Sequence, residues 1–99
     1  MYVIREVLNC KPGKVRQMVD KFTQISMVLK DLGHEPIRIL TDVTGEPYWT
    51  VIAEAKVEKI DDFFAMEQKL TTNERLRNTM ADYHDLVDRG RREIYRLES

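Results

Sequence analysis

NCKPGKV, residues 9–15, decides how the first third of the chain is read. Apolar residues precede it with one rhythm and follow it with another. Upstream, MYVIREVLN (1–9) is rich in β-branched and aromatic residues and carries Arg5 and Glu6 on opposite faces, the pattern of a strand. Downstream, Val15, Met18, Val19, Phe22, Ile25, Leu29 and Leu32 recur at spacings of three and four, one stripe of a long helix. Pro12 stands at the start of that helix and Gly33, in DLGHE, at its stop. KPG is therefore the joint between a strand and an amphipathic helix.

Further along, EPIRILTDV (35–43) and PYWTVIAEAKV (47–57) are strand-like runs on either side of TGE, a loop of hairpin length. In the second run Trp49, Val51, Ala53, Ala55 and Val57 make one apolar face. Tyr48, Thr50, Ile52, Glu54 and Lys56 make a mixed one on the other side. KIDDFFAMEQKL (59–70) then reads as a short helix with Ile60, Phe63, Phe64 and Leu70 inward, and Asp61 and Asp62 suit its N-terminus. Thr71 and Glu74 form a capping-box pattern for a third helix, with Leu76, Met80, Tyr83 and Val87 as its stripe and Gly90 as its stop. RREIYRLE (91–98) is the last strand.

The order β-α-β-β-α(α)-β is the split arrangement of an α+β, ferredoxin-like domain: a four-stranded antiparallel sheet with helices on one face, spanning residues 1–99 as a single domain. A composition of 42% hydrophobic and 33% charged residues fits a globular chain. Sixteen basic residues against seventeen acidic ones leave a net charge of −1, with no global pull toward nucleic acid or an anionic membrane. No apolar run approaches a spanning helix and the N-terminus alternates apolar with charged residues, so the expected location is cytoplasmic. Cys10 is the only cysteine, which excludes an intrachain disulfide.

The uncovered sheet face mixes Arg38, Leu40, Thr50, Ile52 and Glu54, too apolar for water and too polar for a dry core. Two such sheets packed face to face would hide the apolar atoms and enclose a polar-lined cavity, so a homodimer through the open face is expected.

The strand ending in KPGK, the long helix closing at LG, the hairpin containing YWTVIAEAKV, the helix introduced by KIDDF and the final EIYRL strand resemble the dimeric α+β-barrel superfamily. Within it the chain is similar to NIPSNAP-like and antibiotic-biosynthesis-monooxygenase-like (ABM-like) domains. The resemblance implies a dimeric barrel and a range of activities that includes cofactor-free oxygenases, cyclases, isomerases and haem-degrading enzymes. It also implies a haem set, an Asn on the first strand, a Trp on the third and a His on the second-half helix, which here falls on Asn9, Trp49 and His84.

Among the chemistry-bearing residues, His34 follows the helix-stop glycine and reads first as a solvated loop histidine; its sharper reading is a general base at the barrel rim. His84, with Asp88 four residues on, has a metal-compatible spacing but no third ligand in the local sequence, so no metal is expected. Cys10 beside Lys11 reads as packing before it reads as a reactive thiol. RNA-recognition domains share this element order but need exposed aromatics in mid-strand, where this chain has TVIAEA. Its basic cluster, Arg89, Arg91, Arg92 and Arg96 around Tyr95, is diluted by acids, so no nucleic-acid partner is expected.

Two functions follow. In the first, a cofactor-free barrel pocket lined by Arg38, Leu40, Tyr48, Thr50, Ile52 and Glu54 binds or transforms a small apolar or aromatic molecule, with His34 as the proton carrier. In the second, the domain is a non-catalytic binding or association module. Unpaired Arg38 and Glu54 in a pocket favour the first; mutual neutralisation of the two favours the second.

Overall fold

The computed structural model describes residues 1–99. Four strands, β1 (Tyr2–Cys10), β2 (Arg38–Thr41), β3 (Thr50–Val57) and β4 (Val87–Arg96), form one antiparallel sheet in the order β2-β3-β1-β4. Helices α1 (Val15–Asp31), α2 (Ile60–Thr72) and α3 (Glu74–Met80), with a 3₁₀ turn at Tyr83–Asp85, lie on one side of it. The expected α+β ferredoxin-like architecture is present, and no helix is long and apolar enough to cross a membrane.

The KPG joint works as a turn. Lys14 N–H donates to the Lys11 carbonyl, Pro12 fills the second position, and Gly13 takes φ 79°, which a Cβ would disfavour. Helix α1 therefore starts at Val15, just after the proline rather than on it. It ends where expected: Gly33 at φ 89° donates to Lys30, and His34 donates to Leu29, the two bonds of a Schellman closure. Between those ends the helix buries Met18, Phe22, Ile25, Val28 and Leu29. These meet Ile4, Val51 and Ala53 of the sheet and Phe63 and Met66 of α2 in a single core cluster.

The second half departs from expectation in three ways. Helix α2 runs to Thr72, and the cap of α3 is Asn73, whose Oδ1 accepts Leu76 N–H at 3.2 Å; Thr71 lies inside α2. Phe64 is exposed, because Phe63, Met66 and Leu70 define the inward stripe of α2 and Phe64 lies about 100° away from Phe63 around the helix. The third helix stops at Met80, and Gly90 ends nothing. It sits within β4 opposite Leu8, where a Cβ would come within 2.7 Å of Leu8 Cδ2. Pairing of Cys10 with Val87 draws the chain into β4 early, so strand hydrogen bonding overrides the helical spacing of Tyr83 and Val87.

The hairpin strands are also shorter than their apolar runs. Strand β3 begins at Thr50, and Trp49 precedes it at φ 72°, a conformation that costs roughly 1–2 kcal/mol for a residue with a side chain. Trp49 is fixed there by its carbonyl, which accepts Cys10 N–H at 2.8 Å. The strand alternation therefore does not extend to Trp49 or Tyr48.

Candidate functional site

Register assigns every strand residue to a face. Ile4, Glu6 and Leu8 of β1 lie with Ala55, Ala53 and Val51 of β3 toward the helices, while Arg5, Val7 and Asn9 lie with Glu54, Ile52 and Thr50 on the open side. Each face gathers a different set of groups.

On the helix side, α1 and α2 stand apart and leave a cavity of about 370 Å³ between them and the sheet. Thirteen of its seventeen lining residues are hydrophobic. Leu8 and Ala55 form part of its floor, Phe22 and Phe63 come from the flanking helices, and Met80 and Tyr83 close the α3 end. That end is tied to α1 by Lys21, whose Nζ donates to the Thr79 carbonyl at 2.6 Å and to Asp82 Oδ1 at 2.5 Å. The Lys21 hydrogen bond holds the Asp82 carboxyl below its ordinary range.

Only three charged residues line the cavity, and they are bonded to one another. Arg92 of β4 donates through Nε to Glu6 of β1 and through a terminal nitrogen to Glu67 of α2 at 2.6 Å, and its guanidinium lies 5.0 Å from the centre of the Phe63 ring. Desolvation, the largest single influence, pulls the Arg92 pKa down, but the hydrogen bonds and negative charges of Glu67 and Glu6 together outweigh it and the net shift is upward, so the guanidinium stays charged. A guanidinium between two carboxylates leaves one negative charge in excess at the edge of an apolar space.

The open face carries the residues expected to line a pocket, arranged as a paired surface. Glu54 accepts from Arg5 Nε at 2.9 Å and lies 3.5 Å from Arg38 Nε. With Glu93 opposite Arg5 in β4, the four strands contribute one row of alternating charge: Arg38, Glu54, Arg5, Glu93. The next row is Leu40, Ile52, Val7 and Arg91, in which Leu40 and Ile52 are half-buried and Val7 is 1% exposed. Arg91 also reaches Glu46, so the β2–β3 loop is latched to the far strand β4. Thr50 is fully buried at the end of the face, its hydroxyl donating to Pro47 and accepting from Asn9 Nδ2. Tyr48 is 84% exposed on the loop. None of Arg38, Leu40, Tyr48, Thr50, Ile52 or Glu54 lines the cavity.

The remaining candidates are scattered. His34 sits in the loop after α1 with a buried Nε2 that has no hydrogen-bond partner, away from the cavity wall. His84 is exposed in the 3₁₀ turn with its ring 4.0 Å from that of Tyr83; Asp88 falls in the bulge of β4, so the two are not one helical turn apart. Asn9 spends its amide on Thr50 and receives Arg89 Nε at 3.4 Å, and neither it nor Trp49 nor His84 lines the cavity. Asp61 and Asp62 are exposed in the first turn of α2. Cys10 is buried in the core, and burial, aided by Asp88, raises its thiol pKa. The sequence reading did not single out Glu67 or Arg92 as one site with Glu6. Its one available signal was Glu6 itself, a carboxylate on the strand face of Ile4 and Leu8.

No family model matches the sequence, nor does any curated protein sequence. Solved structures do match. A NIPSNAP-like domain protein from Burkholderia xenovorans superposes with a TM-score of 0.82 at 14% identity, over 99% of this chain and 85% of the other. A NIPSNAP family protein from Agrobacterium tumefaciens gives 0.80 at 17% identity, over 96% and 90%. A second NIPSNAP domain protein from Burkholderia xenovorans gives 0.78 at 11% identity, over 100% and 96%. The chain thus has the fold of NIPSNAP proteins across nearly its whole length.

Proposed function

We propose that this small NIPSNAP-fold protein is a binding domain that holds an apolar molecule of aromatic size in the helix-side cavity and associates with a second copy through the open sheet face. The cavity carries the first half of the reading. Its floor residues Leu8 and Ala55 remain only half-buried, so apolar surface at the middle of the sheet is left for something other than a helix to cover. The same reading takes the protein as a cytoplasmic binding protein without a cofactor or metal of its own, and a monooxygenase- or cyclase-like, ABM-like step would be a refinement of it. The neutral fluorophore prodan tests it: saturable binding with a blue shift is expected, and Ala55→Phe, folded by circular dichroism, abolishes it. Unchanged binding to the folded variant removes the cavity as the site.

The open face carries the second half. Glu54 is shared by Arg5 and Arg38 and none of its charge is left for a ligand, the arrangement that favours association over a ligand pocket. Its alternating charge row contains both signs, so a two-fold copy can set Arg against Glu while Leu40 and Ile52 become covered. An obligate contact of this kind buries on the order of 2,000 Å² or more. Sedimentation at micromolar concentration is expected to give a dimer, and a monomer at that concentration overturns this half alone.

A further inference from the structure

We infer that the molecule held in the helix-side cavity is an apolar amine, a compact hydrophobic body with one positively charged nitrogen; this rests on the cavity reading and specifies its ligand. The charges in the wall of this half-open cavity do not cancel. Glu6, Glu67 and Arg92 are the only charged residues in the wall, and their sum is one negative charge.

An anionic ligand meets that wall badly. Arg92 already has both carboxylates as hydrogen-bond partners, so an incoming acid brings a third negative charge beside a single positive one. A neutral ligand fits the apolar part of the wall but leaves the excess charge as it was. An ammonium group at Glu6 or Glu67 pairs with the excess charge and hydrogen-bonds the carboxylate oxygens that Arg92 leaves free. Phe22 and Tyr83 add aromatic rings to the same wall, and a ring face attracts a cation more than an anion. The partial exposure of the Glu6 and Glu67 side chains, 31% and 39%, leaves them open to approach.

The test compares three probes on one skeleton at pH 7.5: 1-naphthylmethylamine, 1-methylnaphthalene and 1-naphthoate, each measured by displacement of prodan. The amine is expected to bind about tenfold tighter than the neutral probe, a step of roughly 1.4 kcal/mol, with the acid weakest. Glu67→Gln should remove that advantage, weakening the amine far more than 1-methylnaphthalene. Arg92→Gln, which adds a second uncompensated charge, should enlarge it. Acid binding equal to or tighter than amine binding overturns the inference and leaves the cavity reading standing, as does an amine preference unaltered in Glu67→Gln. Failure of all three probes to bind overturns both.

Discussion

The two faces of the sheet differ in how they treat charge. On the open side Arg38, Glu54, Arg5 and Glu93 alternate across all four strands, so each strand's charge has an opposite neighbour in register. On the helix side three charges meet at one point and do not cancel, beside a cavity that the helices leave open. A balanced row suits a surface that meets another protein, where complementary signs set orientation. An unbalanced cluster on an apolar wall suits a small ligand, because a few placed polar groups in an apolar pocket decide what enters. One backbone serves both because a strand's alternation separates Arg5 from Glu6 by a single residue.

The largest expected effect tests whether the helix side is a packed core at all. Phe22 is 6% exposed and belongs both to the core cluster and to the cavity wall. Phe22→Ala should cost roughly 3–5 kcal/mol in urea unfolding. A loss below about 1 kcal/mol would mean that α1 does not seat on the sheet, and the contrast between faces would collapse.

Next in size is the matching change on the open face. Ile52→Glu sets a carboxylate between Leu40 and Val7 in the apolar row. The free chain should fold with little loss, because the site is half-exposed in one copy. The proposed dimer should weaken on the order of 100-fold by sedimentation, the cost of burying an unpaired charge at a contact. A mutant dimer as tight as the parent would show that this face stays in water.

A subtler pair of substitutions sharpens the charge argument itself. Arg92 holds two carboxylates and covers Phe63, so Arg92→Gln is expected to cost about 1–2 kcal/mol by thermal or urea unfolding. Arg38 is 75% exposed and its carboxylate partner also has Arg5, so Arg38→Gln should cost no more than about 0.5 kcal/mol. Equal losses would mean that the two clusters play the same structural part.

How far these faces were legible in the sequence follows from where each signal is stored. Helix α1 was readable because both of its ends carry local chemistry, Gly13 in the turn and Gly33 in the closure, and its stripe is unbroken. Gly90 has the same look but a different cause: it makes room for Leu8, a residue 82 positions earlier. No local pattern records that. The open-face row was half visible, since Arg38 and Glu54 were placed together from strand parity alone. The cavity was not, because it depends on how far α1 and α2 stand apart, which only tertiary packing sets. Arg92 meets Glu6 only once the register of β4 is fixed, and that register shifts at a bulge between Asn9 and Cys10.

Asn9 and Cys10 also supply the finest contrast, since they set the two faces one residue apart. Asn9 is 9% exposed on the open side with its amide bonded to Thr50 and Arg89, whereas Cys10 is 4% exposed among core residues. Burial, and then the negative charge of Asp88, raises the Cys10 pKa, so the folded state holds the thiol proton more tightly than the unfolded chain does. The resulting stability is fully present below the unfolded thiol pKa of about 8.5 and is lost as pH rises through the higher folded value. The same shift keeps the nucleophilic thiolate scarce at neutral pH. Iodoacetamide at pH 8 should therefore label native Cys10 at least about tenfold more slowly than the urea-unfolded chain, read by mass spectrometry. Raising the pH should speed native labelling only above the ordinary thiol range. Native labelling as fast as unfolded labelling at pH 8 would mean that Cys10 is open to solvent, and that the sheet end where the two faces meet is not closed by Trp49 and Leu86 as their hydrogen bonds to Cys10 and Lys11 indicate.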